Sequence, residues 1–178
     1  ERALEAAGLG AVPRKTVRSF ETAPLYVEAL AESVREAVGD RKDTVLLFSA
    51  HGLPVRLIEE GDPYLSHIRA TVKAVGERFP GVRSELAFQS RAGPMKWLEP
   101  SVEDMLGRLA REGVRDVTVV AVSFVSDHIE TLHEIDVEYK ELAGRLGIAR
   151  FTRAPAPNVR PAFIRALEAL VREAAARE

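Results

Sequence analysis

The run Thr44-Val45-Leu46-Leu47-Phe48-Ser49 is apolar at consecutive positions instead of alternating. A strand with one wet face alternates apolar and polar residues. A strand without alternation is stable only where both faces of its sheet are covered, as in parallel sheets flanked by helices. Asp116–Val125 has the same character, with Thr118 as its only polar interruption before Ser123. Arg83–Phe88, Ala149–Thr152 and Thr16–Phe20 read as further short strands. Between and around them, helical periodicity runs over Leu25–Val38, Pro63–Phe79, Ser101–Glu112, Asp127–Leu146 and Pro161–Ala175. In the first of these helices Leu25, Ala29, Leu30, Val34 and Val38 would face inward. Asp62-Pro63 is an N-cap followed by proline, and Ser101 is a second cap. Arg2–Gly8 resembles the last turns of a helix closing at a glycine, which suggests that something N-terminal precedes Glu1. Strands alternating with helices of this length predict a three-layer α/β fold, a mostly parallel sheet with helices on both faces.

The 178 residues suit a single α/β domain, 1–178, with no linker or repeat. A net charge of −2 supplies no positive field, so nucleic acid is not an expected partner. The absence of cysteine excludes disulfides, Cys-ligated zinc and a Cys-bound iron–sulfur cluster. The apolar runs fall well short of the roughly 18 residues of a membrane span, and no signal peptide is evident. A cytoplasmic protein is expected.

In open parallel sheets, ligands bind beyond the carboxyl ends of the strands. Three polar segments follow strands directly: Ala50-His51-Gly52-Leu53-Pro54, Gln89 to Trp97, and Ser126-Asp127-His128-Ile129-Glu130. Parallel strands would bring all three to one rim. His51, before Gly52, reads either as a loop histidine capping a carbonyl or as an imidazole open to a ligand. Glu130, Glu134 and Glu138 recur every four residues, so at about 100° per residue they drift by only about 40° per step and form an acidic stripe. That stripe is either a solvated face or a path for cations and protons. Glu130 also stands three residues after Asp127, a capping-box position. Leu132, Ile135, Tyr139, Leu142 and Leu146 form the apolar stripe expected to meet the sheet. His128 would project to that apolar side as an orienting or capping residue, and His67 and His133 lie on the surface. Trp97 and Met95 either plug a core gap or wall an apolar slot for a flat aromatic ligand. No fixed metal motif is present; His51 with Glu130 would offer a weak, transient site for a metal such as iron(II).

These same residues carry a family resemblance. Leu46-Leu47-Phe48-Ser49-Ala50-His51-Gly52-Leu53-Pro54, with Glu59, Gly61, Asp62 and Tyr64 after it, resembles the ferrochelatase signature. Phe88-Gln89-Ser90-Arg91-Ala92-Gly93-Pro94-Met95-Lys96-Trp97-Leu98 resembles the family's second motif. The third is similar to Ser123-Phe124-Val125-Ser126-Asp127-His128-Ile129-Glu130-Thr131-Leu132 with Glu134, Asp136, Glu138 and Tyr139. The resemblance runs from about Val17 to Leu170.

The resemblance implies a chelatase-like, Rossmann-like half and an enzyme that inserts Fe(II) into a porphyrin, protoporphyrin IX or coproporphyrin III, in haem biosynthesis. Iron is then a substrate, and no permanent cofactor or iron–sulfur cluster is expected. His51 and Glu130 match the catalytic pair. His51, Glu130, Glu134 and Glu138 match the groups that receive and conduct metal, and Trp97, Met95 and Ser90 match the macrocycle pocket. Two pyrrole protons must leave as the ion enters, which calls for bases, a weak relay and an apolar slot. Ferrochelatases have two similar α/β domains, and this chain resembles the C-terminal one. An absent N-terminal domain is therefore the expected partner, with homodimerisation through the exposed cleft side as another outcome and peripheral membrane contact allowed. On these terms the 178 residues alone would be poorly active. The alternatives are a short sirohydrochlorin-type chelatase and a non-catalytic tetrapyrrole- or metal-binding domain.

Overall fold

The computed structural model describes residues 2–8, 10–12 and 14–176. Its centre is a four-stranded sheet of β1 (Val45–His51), β2 (Ser84–Gln89), β3 (Asp116–Ala121) and β4 (Arg150–Ala154), in the order β2-β1-β3-β4. All three pairings are parallel. The doubly apolar β1 is central and almost wholly buried, as its composition requires.

Alternation along the strands sorts their side chains between two cores. Leu46, Phe48, Ala50, Phe88, Val120 and Val122 join the core beneath α2 (Pro24–Val38), α4 (Tyr64–Gly76) and α7 (Pro161–Ala176). Val45, Leu47, Ala87, Val117, Val119 and Ala121 join the core beneath α5 (Val102–Arg111), the π-helix Glu130–Tyr139 and α6 (Lys140–Arg145). The expected three-layer α/β architecture is therefore present. A short helix α1 (Arg2–Ala6) leads into Gly8, whose φ of 71° and N–H bond to the Glu5 carbonyl match the glycine closure read from sequence. A further one-turn helix, α3 (Val55–Glu59), follows β1 without any periodic signal in so short a stretch. Both expected caps form: Asp62 Oδ1 accepts the Tyr64 N–H at 2.8 Å, and Ser101 Oγ accepts the Asp104 N–H at 3.0 Å.

Four expectations need correction. Thr16–Phe20 is not a strand; Phe20 sets its ring edge-on to Tyr26 of α2 at 4.9 Å, and the adjoining Glu21 carbonyl accepts the Thr71 hydroxyl of α4. In α2, Tyr26 and Val27 are buried while Leu25 is exposed. Helix formation after β3 begins at Glu130 with no side-chain cap, so Asp127 and Glu130 make no capping box. The apolar stripe is also displaced: Thr131, Ile135, Tyr139 and Ala143 are buried, whereas Leu132 is 54% and Leu146 38% exposed. The physical reason is the winding. The i→i+5 bonding of a π-helix takes more than four residues per turn, so positions four apart share a face more closely than in an α-helix.

Candidate active site

β1 sends its chain to β2 on one side, and β3 sends its chain to β4 on the other, so the crevice of this sheet lies between the carboxyl ends of β1 and β3. His51 is the last residue of β1 and stands at that point. Its main chain is gripped from both sides. The His51 N–H donates to Ser123 Oγ at 2.8 Å, and the Tyr64 hydroxyl donates to the His51 carbonyl at 2.8 Å. By strand alternation the imidazole projects to the same face as Leu47, the face covered by α5 and the π-helix. Its ring meets Phe124 at 6.2 Å, and Phe124 in turn meets His128 at 6.3 Å.

Gln89 is the register partner of His51 on β2 and points to the same face. Its side chain is 1% exposed. Its Oε1 accepts the Ser49 hydroxyl at 2.5 Å, and its Nε2 donates to the Glu130 carbonyl at 2.8 Å and to Glu134 Oε2 at 2.9 Å. The turn after His51 closes on the same residue, because the Gly52 N–H donates to the Gln89 carbonyl at 2.8 Å. A Cβ at Gly52 would sit 2.8 Å from that carbonyl oxygen, so glycine is required by the close approach of two backbones.

Glu134 is held rather than free. Its carboxylate accepts the Ser90 N–H at 2.8 Å, the Ser90 hydroxyl, the Gln89 amide and the Tyr139 hydroxyl at 2.7 Å. Burial pushes the carboxyl upward, but the hydrogen bonds from Ser90, Tyr139 and Gln89 outweigh it and leave the group below the usual glutamate range. Ser90 itself has a φ of 59°, a left-handed conformation that costs a non-glycine residue about 1 kcal/mol or more. Both of its donors end on Glu134, which fixes it there.

The other acids differ. The Glu130 side chain has no hydrogen bond or ion pair among the described residues, although its carbonyl is anchored. Glu138 is exposed and lies 3.2 Å from His133 Nδ1. Among the described residues no group of three or more His, Asp or Glu side chains is arranged to hold a metal ion. The Glu130 main chain is held by Gln89, the register partner of His51.

Met95 is 54% exposed and lines an apolar trough of about 540 Å³ with Pro54, Val55 and Leu57. Trp97 pairs with Pro54 in an isolated antiparallel bridge and packs toward Gly52, with its indole N–H buried and without a partner among the described residues. The indole thus backs the rim, while Met95 presents the open apolar surface. His128, expected on the apolar side, is exposed, with Nε2 3.0 Å from Ser126 Oγ. Its N–H donates to Thr131 Oγ1.

The ferrochelatase sequence profile matches residues 1–175. The chain belongs to the ferrochelatase family. It is 56% identical over 161 residues to the ferrochelatase of Geobacter metallireducens, a match covering 89% of this chain and 51% of that protein. The Aquifex aeolicus ferrochelatase is 44% identical over 172 residues, covering 97% and 56% respectively. The chain thus spans about half the length of these relatives. Among solved structures, SirB from Bacillus subtilis with Fe3+ matches with a TM-score of 0.68 at 14% identity, covering 98% of this chain and 64% of that one. The putative cobalamin biosynthesis CbiX protein of Marinobacter aquaeolei matches with a TM-score of 0.56 at 18% identity, covering 76% and 99%. At those identities the two structures speak for the fold alone.

In this ferrochelatase-family chain, sequence reasoning located the rim but missed most of what supports it. Ser123, Tyr64 and Gln89 lay inside the quoted motifs without being assigned a role. Arg153 and Asn158, which hold Asp127 three residues before Glu130, lay outside them. The Arg153 guanidinium donates to Asp127 at 2.8 Å and forks onto both oxygens of Asp136 at 2.8 and 2.9 Å. Asn158 donates its amide to Asp127 Oδ2 and accepts the Asp127 N–H. Burial would raise the Asp127 carboxyl, but Asn158, Arg153 and Thr131 hold it below the usual aspartate range. The only sequence signal for this network was a single Asn beside two prolines after β4.

Proposed function

We propose that this chain carries the metal-inserting machinery of a ferrochelatase, placing Fe(II) in a porphyrin as two pyrrole N–H protons depart. The observation that supports this most is that the Gln89 amide, from the strand residue in register with His51, holds the main-chain carbonyl of Glu130. An imidazole and an unpaired carboxylate there can accept the two protons in turn. Each can also touch the incoming ion weakly enough to release it. Ordinary two-ligand affinity suits a substrate ion that is handed on.

The trough beside Met95 and Pro54 offers the apolar surface on which a flat macrocycle would lie, with Trp97 bridged to Pro54; Ser90 and Trp97 would complete the macrocycle pocket. The opposite wall would come from outside these 178 residues, from a second α/β half or a second copy of the chain. Glu138, exposed at the far end of the π-helix, would meet the ion before Glu130 does, and the hydrogen-bonded Glu134 between them would keep the helix in place. Iron is the substrate in this scheme, the reaction runs without an organic cofactor, and the setting is the cytoplasm. No described helix is long and apolar enough to cross a membrane.

Anaerobic incubation with Fe(II) and, separately, protoporphyrin IX, coproporphyrin III and sirohydrochlorin, followed by absorbance, tests the proposal. Metallation of a porphyrin, lost in His51→Ala, is the expected result. Metallation of sirohydrochlorin alone would move the chain to the sirohydrochlorin-type chelatases. Stoichiometric binding without turnover, also in the presence of the second α/β half, would make it a binding domain.

A further inference from the structure

Gln89 occupies an unusual position for an amide. It is almost fully inaccessible, in register with His51 at the carboxyl end of β2. A buried amide is costly unless each polar atom is satisfied, and an apolar side chain of equal size would pack there without that requirement. Here every polar atom is engaged, and the partners are not random. Oε1 takes the Ser49 hydroxyl, which orients the amide. Nε2 then donates to the carbonyl of Glu130, the first residue of the π-helix, and to the carboxylate of Glu134 one turn on.

The other end of the same residue deals with His51. The two are register partners on adjacent strands, and the Gln89 carbonyl receives the N–H of Gly52, the residue that follows His51. One residue therefore holds the main chain next to the imidazole with its backbone and the main chain of Glu130 with its side chain. The Glu130 carboxylate has no partner of its own among the described residues, and the helix start carries no side-chain cap. The Glu130 main chain is thus tied to the sheet through the Gln89 amide.

We infer that Gln89 is a positioning residue that sets the placement of Glu130 relative to His51. The inference rests on the proposed function for its catalytic meaning, but the positioning itself is testable without any substrate. Gln89→Met keeps the shape and removes the side-chain hydrogen bonds to Ser49, Ser90, Glu130 and Glu134. Ser49→Ala is a milder second variant that only frees the orienting oxygen and guards against a Met variant that fails to fold.

Amide hydrogen exchange on the chain should show about a tenfold or greater acceleration at Thr131–Asp136 in Gln89→Met, the amides of β1 and β3 keeping their native rates. Ser49→Ala should give the same pattern more weakly. Unchanged exchange at the helix start, or an even rise over the whole chain, would overturn the inference. Where the chain, alone or with its second half, metallates a porphyrin, kcat should fall about tenfold while the KM for porphyrin stays within about twofold. A localised exchange change with kcat untouched would remove the positioning role in catalysis. Native exchange behaviour together with an inactive wild type would count against the proposed reaction and, separately, against Gln89.

Discussion

Ser123, two residues past β3, accepts the main-chain N–H of His51, the last residue of β1, at 2.8 Å. This bond ties the two strand ends at the crevice, where the sheet's connections diverge. Ser123→Ala would leave a half-buried N–H unsatisfied, and we expect a loss of about 1–2 kcal/mol in chemical denaturation. Tyr64→Phe removes the complementary bond to the His51 carbonyl. The double variant should cost less than the sum of the singles, since both act on the main chain of one residue.

Gly52→Ala should be disruptive because the added Cβ would lie 2.8 Å from the Gln89 carbonyl, and neither backbone can yield without moving its strand end. We expect a cost of about 1–3 kcal/mol and a displaced His51, visible as shifted imidazole resonances. Gly144→Ala supplies the contrast. It lies in α6, its added Cβ would meet nothing within 4 Å among the described residues, and it should raise stability by about 0.5–1 kcal/mol through helix propensity.

Arg153 joins Asp127 to Asp136, with its own side chain only 10% exposed. Arg153→Met leaves two carboxylates without a counter-charge beside the helix start, and a loss of about 2–3 kcal/mol is expected in thermal or denaturant unfolding. Arg153→Lys should recover only part of it. An ammonium cannot present the planar fork that meets both oxygens of Asp136 while also reaching Asp127.

Glu134 should shape the acid limb of the stability curve. Its carboxyl is held below the ordinary glutamate range in the folded chain despite the opposing effect of burial. Its stabilisation is therefore complete above the pKa of the unfolded chain and is lost as pH falls through the lower folded pKa. Glu134→Gln should be clearly less stable than wild type at neutral pH, and the gap should narrow as the pH drops below the ordinary carboxylate range. A constant gap across urea titrations at several pH values would rule out the ionised state as its source.

Much of the fold could be read from local pattern. The unbroken apolar runs of β1 and β3 required a covered sheet, and Asp62-Pro63 and Ser101 marked helix starts that the structure keeps. The segment 16–20 was misread because its residues suit a strand locally, while its actual neighbours are α2 and α4. The buried face after β3 was misread for a different reason. An α-helical rotation per residue puts Leu132 inside, whereas the π winding puts Thr131, Ile135, Tyr139 and Ala143 there.

By itself the sequence determined a parallel sheet sheathed by helices, and it put His51, Gln89 and the acids around Glu130 just beyond strand ends, because apolar runs and their polar exits are local properties. Only the tertiary structure decided what each acid does. Glu130, Glu134 and Glu138 are equivalent as a four-residue repeat. Glu134 nevertheless receives four hydrogen bonds from Ser90, Gln89 and Tyr139, Glu138 faces solvent beside His133, and the Glu130 carboxylate has no bonded partner among the described residues. Three of the four bonds to Glu134 come from Gln89 and Ser90, some 45 residues away in sequence, and no periodicity within a helix can report them.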